Sequence, residues 1–311
     1  MHRCLYCYKP LNEGEVDFHP SCAMRFFGVK KAPLFDYSLE QIDELASKVI
    51  AEQTSLTGVQ PKLSLHLQSH QGSARLTIVG LWGRYICKPE TSLYPMLPEV
   101  EDLTMHLAEL AHIEVVPHSL MHMADGSLCY LSRRIDRTAK GQKIAMEDLC
   151  QLTERQTEYK YKSSYEKMAK TIESFSSVPR MDVTNFFEVV LFSWIVGNND
   201  MHLKNFSLYE PSEGEIRLTP AYDLLNVAIV NPADREELAL SLNGKKSNLK
   251  KEDFLIAGET MGIENSVVEH LIRKYLGLED KMSEIIDVSF LSSKYKIAFR
   301  SLISSRIERL K

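Results

Sequence analysis

The segment VVLFSWIVGNNDMHLKNFSLY, Val189 to Tyr209, limits what this chain can become more than any other stretch. An apolar run with helical spacing stops at Gly197. Two asparagines, an aspartate, a histidine, a lysine and a third asparagine follow at once, and hydrophobic residues then resume. Apolar surface is driven out of water, so the run and the segment after it belong to a core. The corner between them must place its polar groups on partners, since buried polar groups are costly when unpaired.

A chain of 311 residues, 44% hydrophobic and 25% charged, can bury a sizeable core as one large domain or two lobes. The formal net charge of -5 supplies no global basic field for nucleic acid, and no helix-turn-helix pattern is recognisable, so direct DNA binding is not expected. The longest apolar run, near Phe186 to Val196, is interrupted by Glu188 and falls short of the roughly 20 residues of a spanning helix. The N-terminal MHRCLYCYKPL lacks a secretory h-region, which makes a cytoplasmic, reducing compartment the expectation, with export by specialised machinery left open. There the six cysteines read as thiols or metal ligands rather than disulfides.

Cys4 and Cys7 form a CxxC; after eleven intervening residues His19 and Cys22 form an HxxC. These are four donors of the kinds zinc prefers, in two knuckle-like pairs without the usual glycines. Structural zinc and two turns with partly buried cysteines both remain open readings.

Helical periodicity runs from Asp36 to Thr54, with Ser38 as N-cap, and a polar loop with Gly58 then leads into the alternating Leu63, Leu65 and Leu67 of a strand. Further strands are expected at ARLTIVG and GRYICKPE, then an amphipathic helix at PEVEDLTMHLAELAHI, then a hairpin turning at Asp125-Gly126. From about Asp136 helices dominate: Tyr165 to Phe175, Val183 to Val196, Lys251 to Met261, Ser266 to Leu276 and Ser292 to Ile307, with short strands at the start and in GEIRLTPAYDLLN. The expected organisation is α+β: a small Cys/His segment (1–28) and residues 29–135 make a strand-rich N-lobe, and 136–311 make a mainly helical C-lobe.

Such a pair of lobes is one way to build a nucleotide cleft, and four features then belong together. Asp200 and Asn205 stand as D-x4-N after the apolar helix; in phosphoryl transfer such an aspartate accepts the proton of the attacking hydroxyl and such an asparagine holds magnesium. A capped helix end explains the same residues. Asp223, 18 positions after Asn205, suits a magnesium-nucleotide complex as an oxygen ligand, or else caps a helix over LLNVA. Lys88 on a strand pairs with Glu101 on the following helix, as a kinase lobe presents a cation to phosphates, with Glu99 or Asp102 as other possible partners. The loop TSLTGVQPKLSL brings Gly58 and hydroxyls toward phosphates without being a Walker A sequence.

Together with CLYCYKPL, FHPSCAMRFFG, LSRRIDR, MEDLCQL and LNGKKSNL, these motifs resemble, over nearly the whole chain, the HipA-like serine/threonine kinases, toxins of bacterial toxin-antitoxin systems. The resemblance implies a bilobed, protein-kinase-like fold using ATP and Mg. It implies Asp200 as catalytic aspartate, with His202 and Lys204 beside it in the catalytic loop as cations able to offset developing charge. It implies Asn205 and Asp223 as Mg ligands, Lys88 as the ATP lysine and Glu101 as its holder. The backbone of Arg133 and Ile135 would face adenine, Asp136 the ribose, and Gly58 the phosphates. Ser55 and Thr57 would be autophosphorylation sites that switch the enzyme off, although ordinary loop hydroxyls fit there too.

Longer members carry roughly 100 residues, a domain's worth, ahead of this loop, whereas about 50 precede it here. The chain resembles the short type, in which a small separate protein supplies the missing subdomain and a third protein, the antitoxin, binds DNA. The resemblance implies a protein substrate, an aminoacyl-tRNA synthetase in characterised relatives. A HipA-like kinase without a toxin role, such as an exported effector, and a catalytically silent ATP-binding module are the alternatives. The intact set Lys88, Asp200, Asn205 and Asp223 argues against the silent module.

Overall fold

The computed structural model describes residues 2–42, 44–45, 61–70, 73–80, 83–138 and 141–311. The chain divides into two compact units, residues 1–102 with 116–141, and residues 103–115 with 142–311.

The first unit is built on a five-stranded antiparallel sheet in the order β2-β1-β3-β5-β4. Its strands are β1 (Leu63–His70), β2 (Ser73–Val79), β3 (Tyr85–Pro89), β4 (His118–His122) and β5 (Leu128–Arg133). The β4–β5 hairpin turns where Asp125-Gly126 predicts it: Gly126 takes φ 84, and the Met123 N–H closes the loop on the Ser127 carbonyl at 2.9 Å. Ser38 and Gln41 exchange side-chain and backbone hydrogen bonds at 3.2 and 2.9 Å, a capping box that starts the helix read from Asp36. Residues 39–42 and 44–45 are helical, and the rest of that reading, to Thr54, lies outside the described residues.

Two helices of this region depart from their sequence patterns. The short α1 (Pro20–Phe27) starts on a proline and ends on Gly28 at φ 79, in a segment that the spacing reads as a pair of zinc knuckles or as two turns, with no helix. Its Phe26 and Phe27 pack around Tyr85 of β3 at centroid distances of 5.6 and 5.9 Å. The second, α2 (Leu97–Leu110), reads as amphipathic, yet both faces of its first turns are buried, including Glu99, Glu101 and Asp102. A carboxylate survives such burial only with partners or a proton. Asp102 accepts from the Tyr8 hydroxyl at 2.8 Å and lies 2.7 Å from His118 Nδ1. Among the described residues Glu99 has no such cation; burial, then repulsion from Glu90 and Asp102, push its pKa up to about 7.

The second unit surrounds α5 (Pro179–Val196), in which twelve side chains from Asp182 to Val196 are buried. Before it come β6 (Met146–Asp148), α3 (Leu149–Leu152) and α4 (Tyr165–Phe175). After it β7 (Ser207–Ser212) and β8 (Glu215–Leu218) complete a three-stranded antiparallel sheet in the order β6-β7-β8. The helices α6 (Val227–Val230), α7 (Lys251–Thr260), α8 (Asn265–Leu276), α9 (Glu279–Val288) and α10 (Ser293–Glu308) follow. All the helices expected in this half form; the one-turn α3 and α6 are additional, and so is α9, its apolar positions being sparse among charges. Among the described residues no helix is long and apolar enough to cross a membrane.

Because its folded pKa is raised, Glu99 contributes stability that is fully present below about pH 4.5 and is lost as pH rises through about 7. The Glu99→Gln variant is expected to flatten that limb and to be more stable than the parent at pH 8, by on the order of 2–3 kcal/mol, in urea unfolding at stepped pH.

Candidate active site

The first group of site residues lies on the five-stranded sheet and α2. Lys88 points from β3 into the interior, 5% exposed, where its Nζ meets Glu101 Oε1 at 2.6 Å and stands 5.5 Å from the centre of the Tyr130 ring. The partner is therefore Glu101 rather than Glu99 or Asp102. Burial strengthens the attraction but strips both charges of water, so the pair fixes the ammonium in one place.

At the end of β5 the geometry narrows what LSRRIDR can offer. The Arg133 N–H donates to the Pro117 carbonyl at 2.8 Å and the Arg134 N–H to the Arg84 carbonyl at 2.9 Å. Arg133 thus brings a carbonyl, not an N–H, to any adenine. Asp136 is held by Arg134 through two hydrogen bonds of 2.8 and 2.7 Å, and that guanidinium keeps its carboxyl below the usual range. Gly58, Ser55 and Thr57 lie outside the described residues.

The second group is the polar corner after α5. Gly197 ends the helix at φ 77, and a Cβ there would sit 2.3 Å from a Leu302 methyl and 2.8 Å from Asn226 Oδ1. Only glycine fits. The chain then turns through Asn198, whose Oδ1 accepts from the Asp200 N–H at 3.3 Å, and Asn199, whose amide donates to the Glu236 carbonyl at 2.9 Å. Both asparagines shape the corner. Asn205 folds back and donates from Nδ2 to the Asp200 carbonyl at 2.9 Å, which ties the two members of D-x4-N together and leaves the amide oxygen as a donor for a hard cation.

The resemblance implies cations at His202 and Lys204, and the structure gives these side chains other surroundings. His202 is buried, its Nδ1 accepts from the Lys204 N–H at 3.3 Å, and burial drives its pKa down to about 4, so the ring is neutral near pH 7. The Lys204 ammonium lies 2.7 Å from Asp148 Oδ2. Asp148 also caps α3 through a reciprocal bond with Gln151, so MEDLCQL anchors the polar corner.

Asp223 does not cap the following helix. That task belongs to Asn226, which accepts from the Ile229 N–H at 3.1 Å, while Asp223 itself takes φ 55, an uncommon conformation outside glycine. Its neighbour Tyr222 shares a 2.6 Å hydrogen bond with Ser207 and donates to the Lys204 carbonyl at 3.2 Å, which joins LTPAYD to the corner.

Sequence reasoning missed Tyr161. Its hydroxyl donates to Asp200 Oδ1 at 2.6 Å and its ring stands edge-on to His202 at 5.0 Å. Burial, then the bond to Asp200, push its pKa up from the ordinary tyrosine value, so it stays a donor. A tyrosine 39 positions away carries no local signal.

The sequence model of the HipA-like C-terminal domain matches residues 54–282. The chain belongs to the HipA-like C-terminal domain family. The HipA-like chain is 27% identical over 264 residues to a Haemophilus influenzae protein named "Putative kinase", with 76% of each chain covered. It is 31% identical over 217 residues to the Sinorhizobium fredii "Putative kinase Y4dM", covering 64% of this chain but 52% of that one. In fold it is similar to HipA from a Shewanella oneidensis complex of HipA, HipB and operator DNA, with TM-score 0.69, 21% identity, and 82% and 65% of the two chains covered. It is also similar to the Helicobacter pylori proinflammatory kinase CtkA, with TM-score 0.53, 14% identity, and 80% and 93% covered. The mixed helix-and-sheet architecture of kinases of this kind is thus shared.

Two stability measurements test this construction. Lys88→Met leaves Glu101 buried without its cation and is expected to cost roughly 3–5 kcal/mol, with much of the loss restored when Glu101→Leu is added. Gly197→Ala adds backbone strain and a collision, and should lower the unfolding free energy by roughly 3 kcal/mol with the denaturant slope unchanged.

Proposed function

We propose that this HipA-like chain is an ATP- and Mg-dependent serine/threonine protein kinase acting as a growth-inhibiting toxin in the cytoplasm. The observation that carries the reading is the corner in which Asp200 is oriented by Tyr161 and bound through its carbonyl to Asn205. A helix end needs caps, but it does not need a carboxylate set by a tyrosine from a distant segment.

In this reading a serine or threonine hydroxyl of the substrate attacks the γ-phosphorus of ATP. Its proton passes to Asp200, the bond to the bridging oxygen breaks, and ADP leaves. Tyr161 occupies Oδ1, so Oδ2 is the oxygen that takes the proton. Asn205 and Asp223 supply the oxygen donors for Mg, which when bound neutralises phosphate charge. Lys88, held by Glu101, binds the ATP phosphates. The ring of His202 is neutral and acts by shaping the loop, and Lys204 acts through Asp148. The Arg133 carbonyl and Ile135 contact adenine, and Asp136, turned by Arg134, borders the ribose.

The substrate is a protein, proposed as an aminoacyl-tRNA synthetase. Ser55 and Thr57, with Gly58, form an autophosphorylated loop. An antitoxin partner is supported by the Shewanella HipA neighbour, which is complexed with HipB and DNA.

The test is transfer of labelled γ-phosphate from Mg-ATP to the chain itself and to lysate proteins. Asp200→Asn is expected to lower it by roughly a hundred- to ten-thousand-fold and to relieve growth arrest on induction. No transfer by the parent chain, or equal transfer by the variant, overturns the reading, and phosphoproteomics with the same pair identifies the substrate.

A further inference from the structure

The first 28 residues lie outside the stretch matched by the family and take no part in the chemistry above. They nevertheless bring Cys4, Cys7, His19 and Cys22 together, with one ligand atom of each within 4.8 Å of all the others. The Cys7 and Cys22 sulfurs are 3.5 and 3.7 Å from His19 Nδ1. Around a tetrahedral zinc with bonds of about 2.3 Å to sulfur and 2.0–2.1 Å to nitrogen, sulfur and nitrogen are about 3.6 Å apart. The separations match.

The backbone explains how four side chains converge. The Tyr8 N–H returns to the Cys4 carbonyl and the Cys4 N–H bonds to the Lys9 carbonyl, both at 2.9 Å, which curls the CxxC into a knuckle. Tyr8 takes the left-handed conformation, φ 61, that glycine would ordinarily supply. His19 stands just before α1 and Cys22 in its first turn, so the two side chains share a face. His19 Nε2 donates to the Pro10 carbonyl at 2.9 Å, which fixes the proton there and turns the lone pair of Nδ1 toward the sulfurs. A histidine that ligates a metal is commonly oriented by such a bond.

We propose that Cys4, Cys7, His19 and Cys22 bind one zinc ion in a closed structural site that staples residues 2–28 onto α2 and β4. With four protein ligands no position is left for a catalytic water. The staple has two attachments. The Leu5 carbonyl, inside the knuckle, accepts from the Leu120 N–H at 3.4 Å at the β4 edge of the sheet. Tyr8, on the knuckle's rim, donates to Asp102, whose other oxygen meets His118. Asp102 adjoins Glu101, the partner of Lys88, so metal binding bears on the helix that positions that lysine.

Zinc content and the spectrum of the cobalt-substituted full-length chain test this without reference to kinase activity. One equivalent of zinc is expected, with the thiolate charge-transfer and tetrahedral d–d bands of cobalt, and a fall in thermal midpoint on chelation. His19→Cys should keep the metal, Cys22→Ser should weaken it strongly, and Tyr8→Phe should keep the metal yet lower the midpoint. Zinc no higher than in a chain with all four ligands replaced overturns the site, as does a cobalt spectrum without thiolate bands or a disulfide between two of these cysteines. A midpoint unchanged by Tyr8→Phe overturns the staple. Should Cys22→Ser fail to fold, the cobalt spectrum of the parent chain decides.

Discussion

The second unit depends on one helix that is buried over most of its length. Twelve side chains of α5 are buried, and Trp194, Phe192 and Phe187 make it the centre against which later helices pack. A helix so enclosed cannot end against bulk solvent. Its C-terminal carbonyls are closed by the left-handed Gly197, and the chain leaves in a direction that Leu302 and Asn226 fix sterically. The placement of Asp200 three residues later is a consequence of that packing. A rigid apolar support beneath a polar corner holds groups in place without the entropy cost of ordering them when substrate binds.

The first unit shows the complementary solution, polar groups buried in pairs. Lys88 with Glu101, and Tyr8 with Asp102 and His118, lie along α2, each carboxylate meeting a donor within 2.8 Å. Replacing such pairs by apolar residues would often cost little stability, so their presence is better explained by position than by strength. They hold a cation and a helix in one register. Glu99, two residues before Glu101 and without a cation among the described residues, shows by contrast what burial does to a carboxylate: it prefers a proton.

Much of the fold could be read in the residues. The hairpin at Asp125-Gly126 and the helix Tyr165–Phe175 follow from turn chemistry and period, because each is decided by neighbours in the chain. Burial of the whole first half of α2 was not legible: the spacing reads as an amphipathic helix with a carboxylate for Lys88, and nothing local says that Tyr8 and His118 meet Asp102 or that Glu99 is buried beside them. For the candidate site, D-x4-N marked its own corner, and Asn205 does bond to Asp200. Asp223 can be read on paper as the cap over LLNVA, and only the backbone at φ 55 and the Ile229 N–H, which bonds to Asn226 instead, decide against that.

What the sequence by itself determined is the set of chemical groups and their local order. That includes an aspartate and asparagine after an apolar helix, a strand lysine ahead of an acidic helix, and three cysteines and a histidine in two spaced pairs. What only the tertiary structure decided is which groups meet and in what charge state. Tyr161 reaches Asp200 from 39 residues away, Lys204 is taken by Asp148 from 56 away, and His202 loses its proton to burial. Spacing governs contacts within a turn or a hairpin, where the chain itself sets the distance. Contacts between distant segments, and the desolvation that shifts a pKa, depend on how the whole core closes.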